Sequence, residues 1–458
     1  MLELTVIIIY FAVMIAIGLL SIRKAGKVDD FFVAGRKGSS LFVTGSLLAT
    51  IVGGSATVGM AGLGFSRGLT GAWWLLVGSV GLVILGLFLA KKVRQFGLYT
   101  LPGLVREQYD RRMALAASIL IVIAWLGVVA AQIIAAGKIL GILGLGSPVL
   151  WMVLFTIIFV AYTIVGGQYA VIRTDTFQAA IIFIGIFSGL ALVLSHVEGW
   201  SGLSNALPSE QFAFPVSSQF GGMELVTLLL LVGLTYVVGP DMYSRLFCAK
   251  DGRTAKVSVF WTALFLIPIA FGITLIGMGA SVLFPQIAPE LAFQTVIREV
   301  LPPFVGAIVL AALLCAIMSS ADTCLLSAST ILTMDIVGWF KPSLSQQRIL
   351  LISRWGIVVL GIISLILALI LQGVISALLF AYTIYTGGVI LPVLAGFYKN
   401  RLKVTPTGAL AALIGGGSAA LISKIFAIKY LDLGALLISG LLLLVVSLVD
   451  NRIKSKRD

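Results

Sequence analysis

Hydroxyl side chains recur inside one of the most apolar stretches of this sequence. Within residues 316–330 they stand at steps of three and four, at Ser320, Thr323, Ser327 and Thr330. On a helix this spacing places the four side chains on one face, with Ser319 beside them. Hydroxyl oxygens are hard, neutral ligands that suit a dehydrated Na⁺. The same side chains could instead bond neighbouring helices or the preceding turn, and the pattern alone leaves both uses open.

Two other apolar stretches contain residues that favour unwound backbone. Residues 53–59 read Gly-Gly-Ser-Ala-Thr-Val-Gly, and residues 236–241 read Tyr-Val-Val-Gly-Pro-Asp. Glycine lowers the cost of leaving a helix, and proline removes one hydrogen bond of the helical ladder. In transporters with broken helices, freed carbonyls bind a cation and helix ends hold the solute. Glycine and proline are also common in unbroken membrane helices, so the two breaks are a prediction.

Three carboxylates lie within or at the edge of apolar segments, where a charge is costly and usually functional. Asp175 begins such a segment, so it could serve a cation or cap the helix at the membrane surface. Asp241 lies four residues before Arg245, and a local ion pair is the alternative to a part in gating. For Asp322, which stands beside Thr323, we expect a structural hydrogen-bonding role.

The residue patterns that enzymes need are missing from the sequence. There is no nucleophile–base pair, no pair of catalytic carboxylates and no Cys-x-x-Cys spacing among the three cysteines. The single histidine, His196, excludes a multi-histidine metal site, and no Walker motif points to ATP as the energy source. We therefore expect no enzyme activity, and an ion gradient as the driving force.

Composition indicates the class of protein that carries these residues. Of the 458 residues, 60% are hydrophobic and only 11% are charged, against about 25% charged residues in ordinary soluble domains. A chain of this kind cannot hide its apolar surface from water. We therefore predict an all-α, polytopic protein of the cell membrane.

A helix of about 20 residues crosses the hydrocarbon core of a membrane, and this length finds thirteen candidate spans in the sequence. In chain order, the first to the thirteenth span are residues 4–22, 40–65, 70–90, 114–143, 149–166, 175–196, 224–246, 255–284, 301–335, 349–371, 373–397, 405–426 and 432–450. The two predicted breaks fall in the second and the seventh span. The run of hydroxyl residues falls in the ninth span.

Basic residues indicate the orientation, because cytoplasmic loops are rich in Lys and Arg. With the N-terminus outside, only five of the 31 basic residues fall on the outer half, namely Arg67, Lys138, Arg298, Lys424 and Lys429. The long loop 197–223, which would then also be outside, has no basic residue. We predict an outer N-terminus and a cytoplasmic C-terminus.

The two breaks lie five spans apart, and this spacing predicts two five-helix units of opposite topology whose broken helices meet at mid-membrane. We expect a single transmembrane domain over residues 1–458. Its first helix and loop cover residues 1–38, the core of two repeats covers residues 39–397, and two C-terminal helices with a basic tail cover residues 398–458.

Over nearly its whole length the sequence resembles the sodium:solute symporter family. The motifs that carry the resemblance are residues 29–36, the Gly-Ser-Ala-Thr break, the Gly-Gly to Thr-Asp-x-x-Gln stretch at 166–178, and Ala-x-x-Ser-Ser-Ala-Asp at 316–322. Residues 239–251, from Gly-Pro-Asp to Ala-Lys-Asp, add a fifth match. The resemblance implies thirteen helices with a leucine-transporter-like core in spans two to eleven, and Na⁺ as the coupling ion.

The resemblance also implies roles for individual residues. By similarity, the shared Na⁺ site falls on main-chain oxygens of Gly54, Thr57 and Ala316 and on the hydroxyls of Ser319 and Ser320. Asp175 matches an aspartate linked to Na⁺ coupling and, in some members, to a second Na⁺. For the solute we expect residues at the two breaks, namely Ser55, Gly59, Tyr236, Gly239 and Pro240. Gating or structural roles are expected for Asp241, Arg245 and Asp322.

Residues at the two breaks indicate the class of solute, because some match known carriers of the family and others differ from them. Tyr236 and Pro240 match positions of proline carriers, but Ala56 stands where those carriers have an aspartate. Residues 58–61 read Val-Gly-Met-Ala where sugar carriers have a polar Glu-Gln pair. A sugar needs many hydrogen bonds, so this stretch disfavours sugars. The leading expectation is an amino acid such as proline, with a small carboxylate as the near alternative.

These observations together predict Na⁺-coupled import of a small organic solute by alternating access. Proton-coupled symport, with Asp175 or Asp241 as the titrating group, is the alternative, and a membrane sensor or channel is less well supported. The expected partners are the solute, Na⁺ and the lipid bilayer. We expect no nucleic acid and no obligate protein partner.

Overall fold

The computed structural model describes residues 2–21, 26–371, 373–426, 428 and 431–455. Within these ranges the chain forms helices and connecting turns, with no β-strand, so the predicted all-α class is confirmed. Of the basic residues counted for the orientation, five lie outside the described residues. They are Arg23, Lys24, Lys429, Lys456 and Arg457.

The spanning helices follow the predicted spans closely. In chain order they are Leu2–Ser21, Ser40–Ile51 with Met60–Arg67, Trp73–Phe88, Arg111–Leu140, Pro148–His196, Gly222–Leu228 with Leu234–Val237 and Pro240–Cys248, Gly252–Leu283, Pro303–Ile331, Gln346–Leu371, Val374–Tyr385 with Leu391–Gly396, Pro406–Ile425 and Leu431–Lys454. Short α-helices between them are Val28–Val33, Ala90–Gln95, Leu101–Gln108, Gly199–Ala206, Ala292–Glu299, Gly338–Phe340 and Lys399–Leu402. Wider π-helical turns occupy Ser55–Gly59, Leu229–Gly233, Leu332–Val337 and Thr386–Ile390.

Ten helices among the described residues are long and apolar enough to cross a membrane. The longest, Pro148–His196, has 49 residues and changes direction at Gly167, where φ is +51°. A Cβ atom at Gly167 would lie 2.6 Å from the ring of Phe31, so only glycine fits this bend. The bend separates the predicted fifth and sixth spans, which therefore form two crossings rather than one.

Both predicted breaks are present. In the second span the helix Ser40–Ile51 ends at Val52, and helical structure resumes in the π-helical turn Ser55–Gly59. In the seventh span the helix ends at Val238, Gly239 is extended, and a new helix begins with Pro240 at its first position. Proline is favoured there, because the first turn of a helix leaves its N–H groups without helical partners.

The ninth span forms the centre of the bundle. Almost every residue from Gly306 to Ile331 is buried, and the helix packs against the second, fourth and sixth spans. The tenth span, by contrast, has one exposed apolar face, with Trp355, Ile362, Ile366 and Ile370 between 52% and 68% exposed. An apolar stripe of this size on a long helix is typical of contact with lipid.

Loops that the basic residues assign to the cytoplasm contact one another. The amide of Gly38 donates to the carbonyl of Cys248 at 2.9 Å, and the amide of Lys250 donates to the carbonyl of Gly38 at 2.9 Å. Arg94 Nε donates to the carbonyl of Ala249 at 2.5 Å. Just beyond, the amide of Thr254 donates to Asp251 at 2.7 Å and lowers the pKa of that carboxyl. These loops therefore lie on one face of the protein, and the assignment of that face to the cytoplasm stays a prediction.

Candidate functional site

The broken stretch of the second span lies against the paired serines of the ninth. Ser320 Oγ donates to the carbonyl of Thr50 at 2.6 Å and to that of Ala316 at 3.0 Å. A Cβ atom at Gly53 would overlap Ser320 Oγ and lie 2.9 Å from Gln132 Oε1. Only glycine therefore allows the two spans to approach this closely.

Within the break, the polar groups of the chain bond one another. Thr57 Oγ1 donates to the carbonyl of Gly53 at 3.0 Å and to that of Gly54 at 3.3 Å. The amide of Gly54, free of the helical ladder, donates to Gln132 Oε1 at 2.8 Å. The carbonyl of Gly53 also accepts a hydrogen bond from the amide of Thr57 at 3.0 Å, so both of its lone pairs are used. Gln132 was missed by the sequence analysis, although a lone amide within an apolar span is a signal.

Ser319 points to a different partner than Ser320. Its Oγ donates to Asp175 Oδ1 at 2.6 Å, and Ser46 Oγ donates to Asp175 Oδ2 at 2.5 Å. Asp175 is fully buried within the sixth span, eight residues beyond the bend at Gly167. It is therefore not the surface N-cap that the sequence left open, and it joins the second, sixth and ninth spans.

Arg245 of the seventh span joins Asp175, Ser46 and Ser319 in one buried polar cluster. Its Nη2 donates to Asp175 Oδ2 at 3.2 Å, and neither side chain is exposed. Its further acceptors come from four spans, and they are Ser46, Thr50, Gln168, Ser244 and Thr323. The four-residue spacing left open an ion pair between Arg245 and Asp241, but Arg245 pairs with Asp175 instead. Asp175 is fully buried, so its charge needs an opposite charge beside it. Arg245 supplies that charge.

Asp322 is the second carboxylate of this cluster. Thr323 Oγ1 donates to its Oδ1 at 3.3 Å, whereas its Oδ2 is buried with no hydrogen-bond partner among the described residues. Thr323 links it to Arg245, because Thr323 Oγ1 also accepts a hydrogen bond from Arg245 Nη2. Two carboxylates around one guanidinium leave an excess of negative charge, which a cation or a proton can balance. The expected structural role accounts for only one of its two oxygens.

The residues expected to hold the solute lie at several separate places. Tyr236 lies against Gly78, where a Cβ atom would be 3.0 Å from its ring, and Gly239 precedes the helix that Pro240 begins. The carbonyl of Val238 accepts a hydrogen bond from Tyr385 of the eleventh span, a residue that no sequence signal indicated. Ser55 lies in the π-helical turn of the second span and is 8% exposed.

Two adjacent cavities open beside these residues on the face that carries the loop 197–223. The larger, of about 490 Å³, is lined mainly by apolar side chains and also by three charged ones, Arg67, Glu224 and Lys424. The smaller, of about 150 Å³, shares Leu63 and Ile375 with it and reaches Gly59. Of the five residues expected to bind the solute, Gly59 lines these cavities, whereas Pro240 lines a void of only about 10 Å³ on the other side.

An ion pair stands where the smaller cavity meets the surface. Lys138 of the fourth span and Glu290 of the loop before the ninth span both line that cavity and pair with each other. The Glu290 side chain is 65% exposed and that of Lys138 is 23% exposed. A pair with one partner this exposed contributes little to stability.

Known proteins match this chain over most of its length. A model of the sodium:solute symporter family matches residues 31–416. A sodium/glucose cotransporter of Vibrio parahaemolyticus is 26% identical over 92% of this chain and 85% of its own. A sodium/pantothenate symporter of Escherichia coli (strain K12) is 26% identical, covering 97% of this chain and 95% of its own.

Solved structures support the fold. A Na⁺-coupled sialic acid symporter, solved in a substrate-bound outward-open state, aligns with a TM-score of 0.84 over 98% of both chains, at 17% identity. MHP1, a nucleobase-cation-symport-1 family transporter solved in a closed conformation, aligns with a TM-score of 0.65 over 93% of this chain and 95% of its own, also at 17% identity. At these identities the likeness concerns the fold alone, which is the predicted leucine-transporter-like one.

Proposed function

Since this chain belongs to the sodium:solute symporter family, its coupling ion is Na⁺, and we propose that it imports a small carboxylate-bearing solute by alternating access. The leading solute is an amino acid such as proline, and a small carboxylate is the near alternative. The observation that carries the proposal is the contact between Ser320 and the carbonyl of Thr50. It joins the broken second span to the hydroxyl face of the ninth span at the centre of the bundle.

The proposed Na⁺ site uses the oxygens that meet at this contact. Its ligands are the main-chain oxygens of Gly54, Thr57 and Ala316 and the hydroxyls of Ser319 and Ser320. In support, Ser320 already spans the gap between Ala316 and the second span. These ligands are neutral, so the ion is held by several weak bonds and can leave when the site opens.

Asp175 acts on this site through Ser319. Both of its oxygens accept hydrogen bonds, one from Ser319 and the other from Ser46 and Arg245. The carboxylate therefore turns the proton of Ser319 towards itself and leaves the lone pairs of that hydroxyl for the ion. Its negative charge adds a favourable field at short range, because the surroundings are dry.

Coupling follows from the position of the site between two spans. Na⁺ bound there would stabilise the state in which the second and ninth spans are together, and the solute would bind best to that state. By linkage, each then raises the affinity of the other by the same factor. When the two spans part, the carbonyl ligands separate from Ser319 and Ser320, and both ion and solute are released.

Charge and polarity support a carboxylate-bearing solute. The lining of the 490 Å³ cavity has two cations, Arg67 and Lys424, against one carboxylate, Glu224. Residues 58–61 are apolar and offer no side-chain donors for a sugar ring. Among the solutes named in the relatives and the solved structure, pantothenate and sialic acid are carboxylates and glucose is not.

The proposal is tested by the thermal stability of the purified protein. Amino acids, small carboxylates and sugars are each added in NaCl and in KCl, and the Tm is measured. We expect a carboxylate-bearing solute to raise Tm in NaCl only, with sugars inactive. The same solute is then assayed for Na⁺-driven uptake into proteoliposomes. A shift produced by sugars alone would contradict the proposed solute, and uptake that is unchanged when K⁺ replaces Na⁺ would contradict the proposed Na⁺ site.

A second candidate adds a proton to the transported Na⁺, and the unpartnered Oδ2 of Asp322 favours it. A proton on this oxygen would balance the excess negative charge of the cluster. Na⁺-driven uptake that is accelerated by an inward proton gradient, with the acceleration lost in Asp322→Asn, would support this candidate. Uptake that is unaffected by the proton gradient would contradict it.

A further inference from the structure

A cationic cavity lies at the end of the ninth span, away from the ion and solute sites. It has a volume of about 350 Å³ and lies between the start of the fourth span, the end of the ninth and the start of the tenth. Its wall has three cations, Arg106, Arg111 and Lys341, and a single carboxylate, Asp335. The wall therefore carries an excess of positive charge at the face that we predict to be cytoplasmic.

The guanidinium of Arg111 is held in place at this wall. Its Nη2 donates to the carbonyl of Trp339 at 2.6 Å, and its Cζ lies 4.5 Å from the centre of the Trp339 ring. A guanidinium has five N–H donors, so most remain for an anion in the cavity. Arg106 also faces Glu107 at 3.8 Å, but both side chains are more than half exposed and the attraction is weak.

Two buried polar atoms face the same cavity without partners. Thr333 is 1% exposed, and within the described part of the chain neither its Oγ1 nor Asp335 Oδ2 has a hydrogen-bond partner. Buried polar atoms are normally satisfied, so this pair indicates a ligand that brings its own polar groups. Because Asp335 repels a bare anion, that ligand must also carry hydroxyl or other donor groups.

An apolar groove continues from the cationic cavity. It has a volume of about 440 Å³, shares Lys341 and Leu344 with the cavity, and is otherwise lined mainly by apolar side chains. Two of these, Phe340 and Leu351, are 72% and 55% exposed, and Arg348 stands at the rim. A cationic cavity beside an apolar groove matches a molecule with an anionic head and a hydrocarbon chain.

We propose that an anionic phospholipid with a hydroxyl-bearing headgroup, such as phosphatidylglycerol, binds here. Its phosphate lies among Arg106, Arg111 and Lys341, and its headgroup hydroxyls bond Thr333 and Asp335. One acyl chain follows the groove along Phe340. Basic pockets between membrane helices on the cytoplasmic side, where we predict this cavity to lie, are suited to anionic headgroups.

The experiment measures lipid retained by the full-length purified protein in native mass spectrometry. Phosphatidylglycerol, phosphatidylcholine and the water-soluble glycerol phosphate are each added to the wild type. The same titration is made on Arg106→Gln/Lys341→Gln and on a control, Arg112→Gln/Arg253→Gln. The control removes two exposed cations from the same face, neither of which lines the cavity.

We expect the wild type to retain phosphatidylglycerol over phosphatidylcholine. The cavity variant should bind it about 25-fold more weakly, about fivefold for each charge removed, and the control should match the wild type. Equal retention of the two lipids by the wild type, or equal loss in variant and control, would overturn the proposal. Glycerol phosphate bound as tightly as the lipid would also overturn it, because the groove would then contribute nothing. This readout involves no transport, so it is independent of the proposed function.

Discussion

Arg245 Nη2 lies 3.2 Å from Asp175 Oδ2, and both side chains are completely buried. The two residues are 70 positions apart in the chain and belong to the seventh and the sixth span. Arg245 therefore ties the broken helix of the second repeat to the carboxylate that orients Ser319 of the proposed Na⁺ site. A change at this ion pair should affect both the stability of the bundle and the handling of the ion.

Removal of the guanidinium should destabilise the protein strongly. In Arg245→Gln the carboxylate of Asp175 stays buried without its counter-charge, which costs about 3–5 kcal/mol. Arg245→Lys should rescue little, because an ammonium has three donors and cannot reach the six side chains that the guanidinium contacts. The measurement is thermal unfolding of the purified protein. The double variant Arg245→Gln/Asp175→Asn should be more stable than Arg245→Gln alone, and a double variant as unstable as the sum of both changes would contradict this account.

Replacing Asp322 by asparagine should change the Tm in a different way from replacing Asp175. Asp322→Asn removes a charge whose Oδ2 has no partner, so the Tm should stay level or rise. Asp175→Asn removes a charge that three side chains stabilise, so the Tm should fall. Both variants replace a buried carboxylate by an amide of the same shape, and each serves as the control for the other. Equal losses of Tm would show that Asp322 has a partner as strong as Arg245.

Loss of the Ser320 hydroxyl should weaken Na⁺ binding without unfolding the bundle. In Ser320→Ala the contact with Thr50 is lost along with one proposed ligand. We expect the Na⁺ concentration for half-maximal uptake to rise by about tenfold, which corresponds to about 1.4 kcal/mol. The control is Ser329→Ala on the same helix, where the hydroxyl bonds the carbonyl of Ser353 instead. A change of equal size in the control would mean that the effect comes from helix packing.

Gly53 should tolerate no side chain. Gly53→Ala places a methyl group against Ser320 Oγ and Gln132 Oε1, so the second and ninth spans must separate or the break must shift. We expect Na⁺-dependent uptake to be lost while the protein still reaches the membrane. Gly222→Ala is the control, because a Cβ atom there meets nothing within 4 Å. Normal Na⁺ affinity in Gly53→Ala would rule out a site that depends on this close approach.

The fold could be predicted from the sequence because its main signals are local. Length and hydropathy determined the spans, and the Gly-Gly and Gly-Pro pairs determined where the second and seventh spans leave the helix. The partner of Arg245 could not be predicted in this way. Spacing left Asp241 open as its partner, whereas the tertiary structure brings in Asp175 from another repeat. Gln132 and Tyr385 were missed for the same reason, because the face on which a single polar residue lies depends on how the helices pack.

The backbone contacts between Gly38 and the Cys248–Lys250 loop have a mechanical consequence for the transport cycle. They join the segment just before the second span to the end of the seventh span through two amides, one from each segment. The first helices of the two repeats are thus tied together at this face by main-chain hydrogen bonds. A passage that opened between the ends of these two helices would have to break both bonds.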